Sequence, residues 1–355
     1  MKSISLFNHK GGVSKTTTTF NLGWSLANLG HKVMMVDMDS QCNLTGLVLG
    51  YNSILEDSMG DFYTNQSNLT LKPVVDYLIE GKDPALFLSN QDGSLTNTLN
   101  PNLFLLPGHL DVSDLDSQIS VSLKIAYGIP ATKKIPGNLP EILKLIAEKN
   151  EIDYMLFDLS PNVGGLNEVI LMSSDYFIVP TSPDFFCWQA VDSLSKNISK
   201  WQSEISRFKT EIDFNNANYP IKNSPKFLGI IQQRYRPRSG KTAKSFDGWI
   251  TRIHDAVNSQ LVPTLESLNC CIPKEKIDEV LEGSDLEAFD LAYIADFNSL
   301  IAISQNNATP VFSLTDDQIK DSGQFGHALN TMKGSRDSFL VTFENLALKV
   351  QKLTS

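Results

Sequence analysis

The sequence predicts an α/β fold, a mostly parallel twisted sheet flanked by helices on both faces. Three observations carry that expectation. Short apolar runs recur at 4–7, 33–36, 154–157 and 176–179, each run empties into a polar loop, and segments with helical apolar spacing lie between them. The runs 33–36, 154–157 and 176–179, apolar throughout and without alternation, suit strands covered on both faces.

The first run opens onto the segment 8–18, NHKGGVSKTTT, which precedes a helical pattern. Gly11 and Gly12 let backbone N–H groups close around phosphate oxygens, Lys15 supplies a point charge, and the Thr16 hydroxyl can reach a magnesium ion. The pattern G-x-x-x-x-G-K-[ST] is not met, because His9 and Ser14 fill its two glycine positions. Lys10 stands directly before the glycine pair, so the loop holds two lysines.

A helix follows, with Phe20, Leu22, Leu26 and Leu29 at helical spacing and Gly30 as its C-cap. The run 33–36 then ends in Asp37 and Asp39, carboxylates beyond the carboxyl end of a strand, where open α/β sheets bind ligands. A third element, Tyr154-Met155-Leu156-Phe157-Asp158, places a carboxylate at the end of a buried strand, a position suited to a water-mediated magnesium contact.

In this order the motifs resemble the ParA/MinD family of P-loop ATPases, whose deviant Walker A loop reads K-G-G-x-G-K-[ST]-T. Lys10, Gly11, Gly12, Lys15, Thr16 and Thr17 match it, and Ser14 departs. The family's D-x-D-P-Q-x-N-x-T element is matched by Asp37, Asp39, Gln41, Asn43 and Thr45, with Ser40 in the proline position. Asp158 is followed by Ser160 and Pro161 where the family has a proline pair. Further likenesses are Leu103 to Gly108, the strand Phe227-Leu228-Gly229-Ile230-Ile231, Ile272-Pro273 after what would be the last core strand, and Pro310-Val311.

The resemblance implies a homodimer with ATP and Mg2+ sandwiched between two copies. Residues Gly11, Gly12, Val13, Ser14, Lys15, Thr16 and Thr17 would hold the phosphates, and Lys10 would reach across to the partner's nucleotide. Thr16, Asp37 and Asp158 would place the metal, and Asp39 would orient the attacking water. ATP hydrolysis in such proteins is slow and stimulated by a partner protein. It serves to position or segregate DNA or a protein cargo, as in plasmid partition. At Ser14 a Cβ can crowd the phosphates, so a nucleotide-dependent scaffold with little or no hydrolysis stands as the alternative, beside a MinD-like membrane-associated ATPase.

Composition bounds these readings. With 355 residues, 41% of them hydrophobic and 20% charged, the chain can bury a large core, and one domain over 1–355 is expected. Surface additions are expected near 111–138, 201–225 and 283–307, with a Pro/Gly-bounded connector over 128–137 and a helix from Leu139 to Ala147. There is no apolar leader and no run of about eighteen apolar residues, so a cytoplasmic protein, with nucleoid association in view, is expected.

Cys42, Cys187, Cys270 and Cys271 lack metal-ligand spacing and read as reduced thiols. The five histidines form no acid/base constellation of the kind a metabolic ligase or kinase would need. The net charge of −10 excludes a uniformly basic surface. Locally, however, Arg234, Arg236, Arg238, Lys241, Lys244 and Arg252 make a basic segment suited to non-specific DNA contact. Phe339, Phe343, Leu346, Val350 and Leu353 repeat at helical spacing near the end and read as a helix packed on the core rather than as a membrane contact.

Overall fold

Two helix layers need a sheet that is apolar on both sides, and the apolar runs supply it. The computed structural model describes residues 1–50, 58–124, 134–211, 221–235, 237–238, 241–242 and 244–355. Its strands are β1 (Lys2–Leu6), β2 (Val33–Met38), β3 (Thr96–Asn97), β4 (Leu103–Leu106), β5 (Tyr154–Leu159), β6 (Tyr176–Thr181), β7 (Lys226–Tyr235), β8 (Pro237–Arg238), β9 (Lys241–Thr242) and β10 (Asp290–Ala295). Eight of them form one sheet in the order β10-β7-β6-β1-β5-β2-β4-β3, while β8 and β9 pair separately. All pairings in the large sheet are parallel except β3 with β4. Every residue of β2 and β5 is buried.

The main helices are α1 (Lys15–Asn28), α2 (Asn43–Leu49), α3 (Leu71–Ile79), α4 (Val112–Lys124), α5 (Ile135–Lys149), α6 (Gly165–Ser173), α7 (Phe185–Glu211), α8 (Lys244–Ala256), α9 (Leu300–Asn306) and α10 (Gly326–Leu353). Helix α1 lies close on the sheet because Gly23 has no side chain, and a Cβ there would sit 3.1 Å from the Met35 sulfur. Helix α10 packs on α1 and β10. Its Phe339, Phe343, Leu346, Val350 and Leu353 are all buried, so its apolar stripe is spent on the core as the periodicity predicts. Helices α4, α5, α6 and α7 pack together as the other layer, and Trp201 of α7 meets Phe7 at 5.5 Å between ring centroids.

Three expectations need correction. The stretch 201–225 is no surface addition where it is described, because Trp201, Ile205 and Phe208 repeat at helical spacing and are buried. The stretch 283–307 contains β10, whose Leu291 and Ile294 are fully buried against β7. The strand before Ile272-Pro273 is therefore not the last of the sheet, and Cys271 contributes only an isolated bridge to Phe227. Gly229 makes room for β10, since a Cβ there would lie 2.5 Å from the Phe289 carbonyl oxygen.

Helix α5 also begins earlier than expected. Pro136 falls in its first turn, where proline's fixed φ and missing N–H favour a helix start. What remains of the expected connector, residues 128–133, lies outside the described residues.

Glu168 on α6 is buried, and its Oε1 has no hydrogen-bond partner among the described residues. Burial pushes its carboxyl up to about 8, and the Glu204 charge acts the same way against Lys200 and Lys124. The folded state therefore holds this proton to higher pH than the unfolded chain, whose Glu titrates near 4.3. Stability should fall as pH rises from about 4.5 to about 8. Glu168→Gln should stabilise the fold by about 1–3 kcal/mol at pH 9 and lose that advantage at pH 5, as urea unfolding at the two pH values will show.

Candidate functional site

The parallel register brings three strand ends to one level. Leu6 and Asp37 both pair with Asp158, so the loop after β1 and the carboxylates of β2 and β5 meet at the carboxyl edge of the sheet. The loop is fixed from below by Asn8, whose Nδ2 donates to the Pro180 carbonyl (2.9 Å) and whose Oδ1 accepts from the Lys10 amide (2.9 Å).

Lys15 is 8% exposed, and its Nζ donates to the carbonyls of Asn8 (2.9 Å) and Lys10 (3.3 Å). Burial lowers its pKa, while Asp158 and Asp39 oppose that shift. The His9 pKa is lowered by burial and by the Lys15 charge.

Ser14 sits just before α1 with φ 56° and ψ 31°, and its side chain caps nothing. That left-handed backbone is the one glycine adopts freely and an L side chain resists by about 1–2 kcal/mol. Gly12, at φ 74°, also takes this conformation. The loop thus keeps the geometry of a glycine at position 14 while carrying a serine.

Gly11, Gly12, Val13, Ser14, Lys15, Thr16, Thr17 and Asp39 line one cavity of about 500 Å3, well within the range of small-molecule sites. Its far wall comes from Asp296, Phe297, Ile301 and Gln305, none of which the sequence reading singled out. They belong to the stretch 283–307 that reads as a surface addition. The available signal was the run Asp290 to Ala295, a strand ending in a loop acid like the others.

Asp37 is fully buried and committed within the chain. Its Oδ2 accepts from the Thr45 amide (2.8 Å) and hydroxyl (2.7 Å), and the Thr45 Oγ1 accepts in turn from the Gly108 amide (2.9 Å). Burial raises its pKa to about 6 against those hydrogen bonds. Asp158 is 1% exposed, and its Oδ2 has no hydrogen-bond partner among the described residues. Burial and then the Asp37 charge raise it to about 7, while a hydrogen bond from Thr16 and the Lys15 charge oppose them.

No group of three or more His, Cys, Asp and Glu suited to a metal occurs among the described residues. A Thr16–Asp158 pair still fits magnesium, which keeps several waters and takes one or two carboxylates together with phosphate oxygens.

Lys10 is turned out of this cavity. Its Nζ pairs with the Asp184 carboxylate at the start of α7, lies 3.6 Å from the Cys187 sulfur and sits 6.0 Å over the Phe186 ring. All four cysteines are free, as their spacing predicts.

Of the basic segment, Arg252 is exposed and its guanidinium lies 4.9 Å over the Trp249 ring. Arg236 and the side chains of Arg234, Arg238, Lys241 and Lys244 lie outside the described residues. Helix α8 is anchored to the sheet edge by His254, whose Nε2 is 2.7 Å from Glu287 and whose Nδ1 is 3.7 Å from buried Asp290.

A lysine-bearing loop between strand and helix, with acids at two neighbouring strand ends of a parallel sheet, defines a P-loop protein. A family profile described as an AAA domain matches residues 1–213, more than half of the chain. The chain belongs to the ParA/MinD family.

It is 27% identical over 240 residues to an uncharacterised protein of Methanocaldococcus jannaschii, covering 67% of this chain and 75% of that one. It is 26% identical over 207 residues to the chromosome partitioning protein ParA of Caulobacter vibrioides, covering 58% of this chain and 65% of that relative's length. The septum site-determining protein MinD of Pyrococcus horikoshii, solved with Mg-ADP, shares the fold at a TM-score of 0.52 and 19% identity, over 100% of this chain and 97% of that one.

Ser14→Gly should relieve the left-handed strain and raise stability by up to about 1 kcal/mol, readable as a higher denaturation midpoint with an unchanged slope.

Proposed function

We propose that the chain binds ATP with Mg2+ in the cavity over the loop 10–17, hydrolyses it slowly, and acts as an ATP-switched homodimer that positions or segregates DNA or a protein cargo. The observation that carries this reading is the convergence of seven consecutive loop residues and Asp39 on one cavity, above a buried carboxylate oxygen of Asp158 that lacks a partner among the described residues. The solved relative complexed with Mg-ADP supports the choice of ligand.

In this reading the loop amides and Lys15 neutralise the phosphates, and Thr16 and Asp158 hold the metal. Bound magnesium supplies charge neutralisation for the leaving phosphate oxygens. Asp37 acts one step back, holding the loop through Thr45. Asp39 lines the open side of the cavity, and its Oδ1 accepts from the Gln41 amide at 3.0 Å, which leaves the other oxygen to orient a water. Lys10 reaches the partner's phosphates only after leaving Asp184, so its action in trans is tied to assembly.

A partner protein that stimulates turnover, and DNA held without sequence reading by the segment containing Arg252, complete the reading. Among the described residues no helix is long and apolar enough to cross a membrane, and α10 buries the apolar stripe that a bilayer contact would use.

The left-handed Ser14 and the parked Lys10 favour one second reading, a nucleotide-dependent scaffold with little turnover. Phosphate release measured with and without duplex DNA separates the two.

Lys15→Ala should weaken ATP binding at least tenfold, a loss of about 1.4 kcal/mol or more; unchanged affinity by calorimetry would refute the phosphate-loop assignment. Asp39→Ala should leave affinity within about twofold and reduce turnover by about 100-fold or more, trapping the ATP dimer; retained turnover would remove Asp39 from the mechanism.

A further inference from the structure

The start of α7 carries an apolar surface that no other described part of the chain covers. Phe185, Phe186 and Trp188 are 46%, 65% and 37% exposed, whereas Trp24 and Trp201 are 8% and 2% exposed. The exposed rings form a ladder that begins at the phosphate loop. Lys10 Nζ lies 6.0 Å over Phe186, Phe186 is 5.5 Å from Phe185, and Phe185 is 5.8 Å from Trp188 and 6.0 Å from Trp249, over which Arg252 is stacked. Beside it, between α7 and α8, an open cavity of about 350 Å3 is lined by Phe185, Trp188, Trp249 and Arg252. A projecting ring and an aromatic socket thus lie side by side on one face.

We infer that this ridge and socket form the apolar contact of a second copy of this chain, an inference that rests on the dimer reading above. Lys10 Nζ lies 6.0 Å over the Phe186 ring, so a copy close enough to receive Lys10 at its phosphates would also lie close to Phe186. A two-fold contact presents one patch to itself, and a knob next to a hole satisfies that requirement. Aromatic rings and arginine are also the side chains enriched in the desolvated centre of protein interfaces.

Among the described side chains of this face the charges are matched, since Asp184 pairs with Lys10 and the socket is lined by both Arg252 and Asp255. Exposed rings among matched charges suit another protein surface.

Light scattering and tryptophan emission, each with a non-hydrolysable ATP analogue and Mg2+, test the inference. The wild type should dimerise, with a blue shift that grows with protein concentration and comes from Trp188 and Trp249, because Trp24 and Trp201 are already buried. Phe186→Ser should weaken dimerisation at least tenfold while keeping analogue affinity and melting temperature, Phe186→Leu should restore most of it, and Trp188→Phe should lose much of the shift.

A wild type that dimerises without the shift, with Phe186→Ser dimerising equally well, overturns this inference and leaves the ATP-dimer reading standing. A wild type that remains monomeric at every concentration overturns that reading, and this inference with it.

Discussion

The ammonium of Lys15, buried beneath its own loop, is the constraint around which the rest of the site is arranged. Held by the carbonyls of Asn8 and Lys10, it fixes the curvature of the loop before any ligand arrives. Its charge also makes tolerable the carboxylates that β2 and β5 deliver side by side. A cation so deeply placed is costly unless acids or anions face it. The parallel register supplies the acids from neighbouring strand ends, and the open cavity leaves space for the anion. Asn8 extends the same economy outward by tying the loop to the end of β6.

The two acidic strand ends divide labour through their hydrogen bonds rather than their positions. Asp37 has its oxygens engaged by the Thr45 amide and hydroxyl and the Asp39 amide, so it works as a brace between α2 and the turn after β4. Asp158, at equal depth, keeps an oxygen that no other described residue engages. The family resemblance implies a metal role for both residues. Geometry makes one of them the direct ligand candidate and the other its support, a distinction that requires the hydrogen-bond partners to be seen.

Much of the fold and the core of the site were legible in the sequence because strong local signals agreed. Apolar runs marked β2, β5 and β6, Ile4, Leu6 and Phe7 marked β1, the loop glycines and Lys15 marked part of the cavity lining, and helical spacing placed α10 in the core. What escaped was long-range. Strand β10 is short and begins with a buried acid that is satisfied by Tyr293 and Gln232, so its polar start concealed a core strand. Phe297, Ile301 and Gln305 reach the cavity only because that strand closes the sheet edge next to β7. The partner of Lys10 was equally hidden, since 174 residues separate it from Asp184 and only the Asn8-tethered loop brings them together.

The Lys10–Asp184 pair has a consequence for how two chains would meet. A lysine neutralised at home is not a free cation that could steer one empty subunit toward another, and the net charge of −10 on each copy opposes their approach unless salt screens it. A bound triphosphate is the anion that can compete with Asp184 for the other copy's Lys10, so that exchange of partners would be open to one loading state alone. Discrimination between loaded and vacant chains would thereby follow the encounter and lie in the dissociation rate, once Lys10 has changed partners.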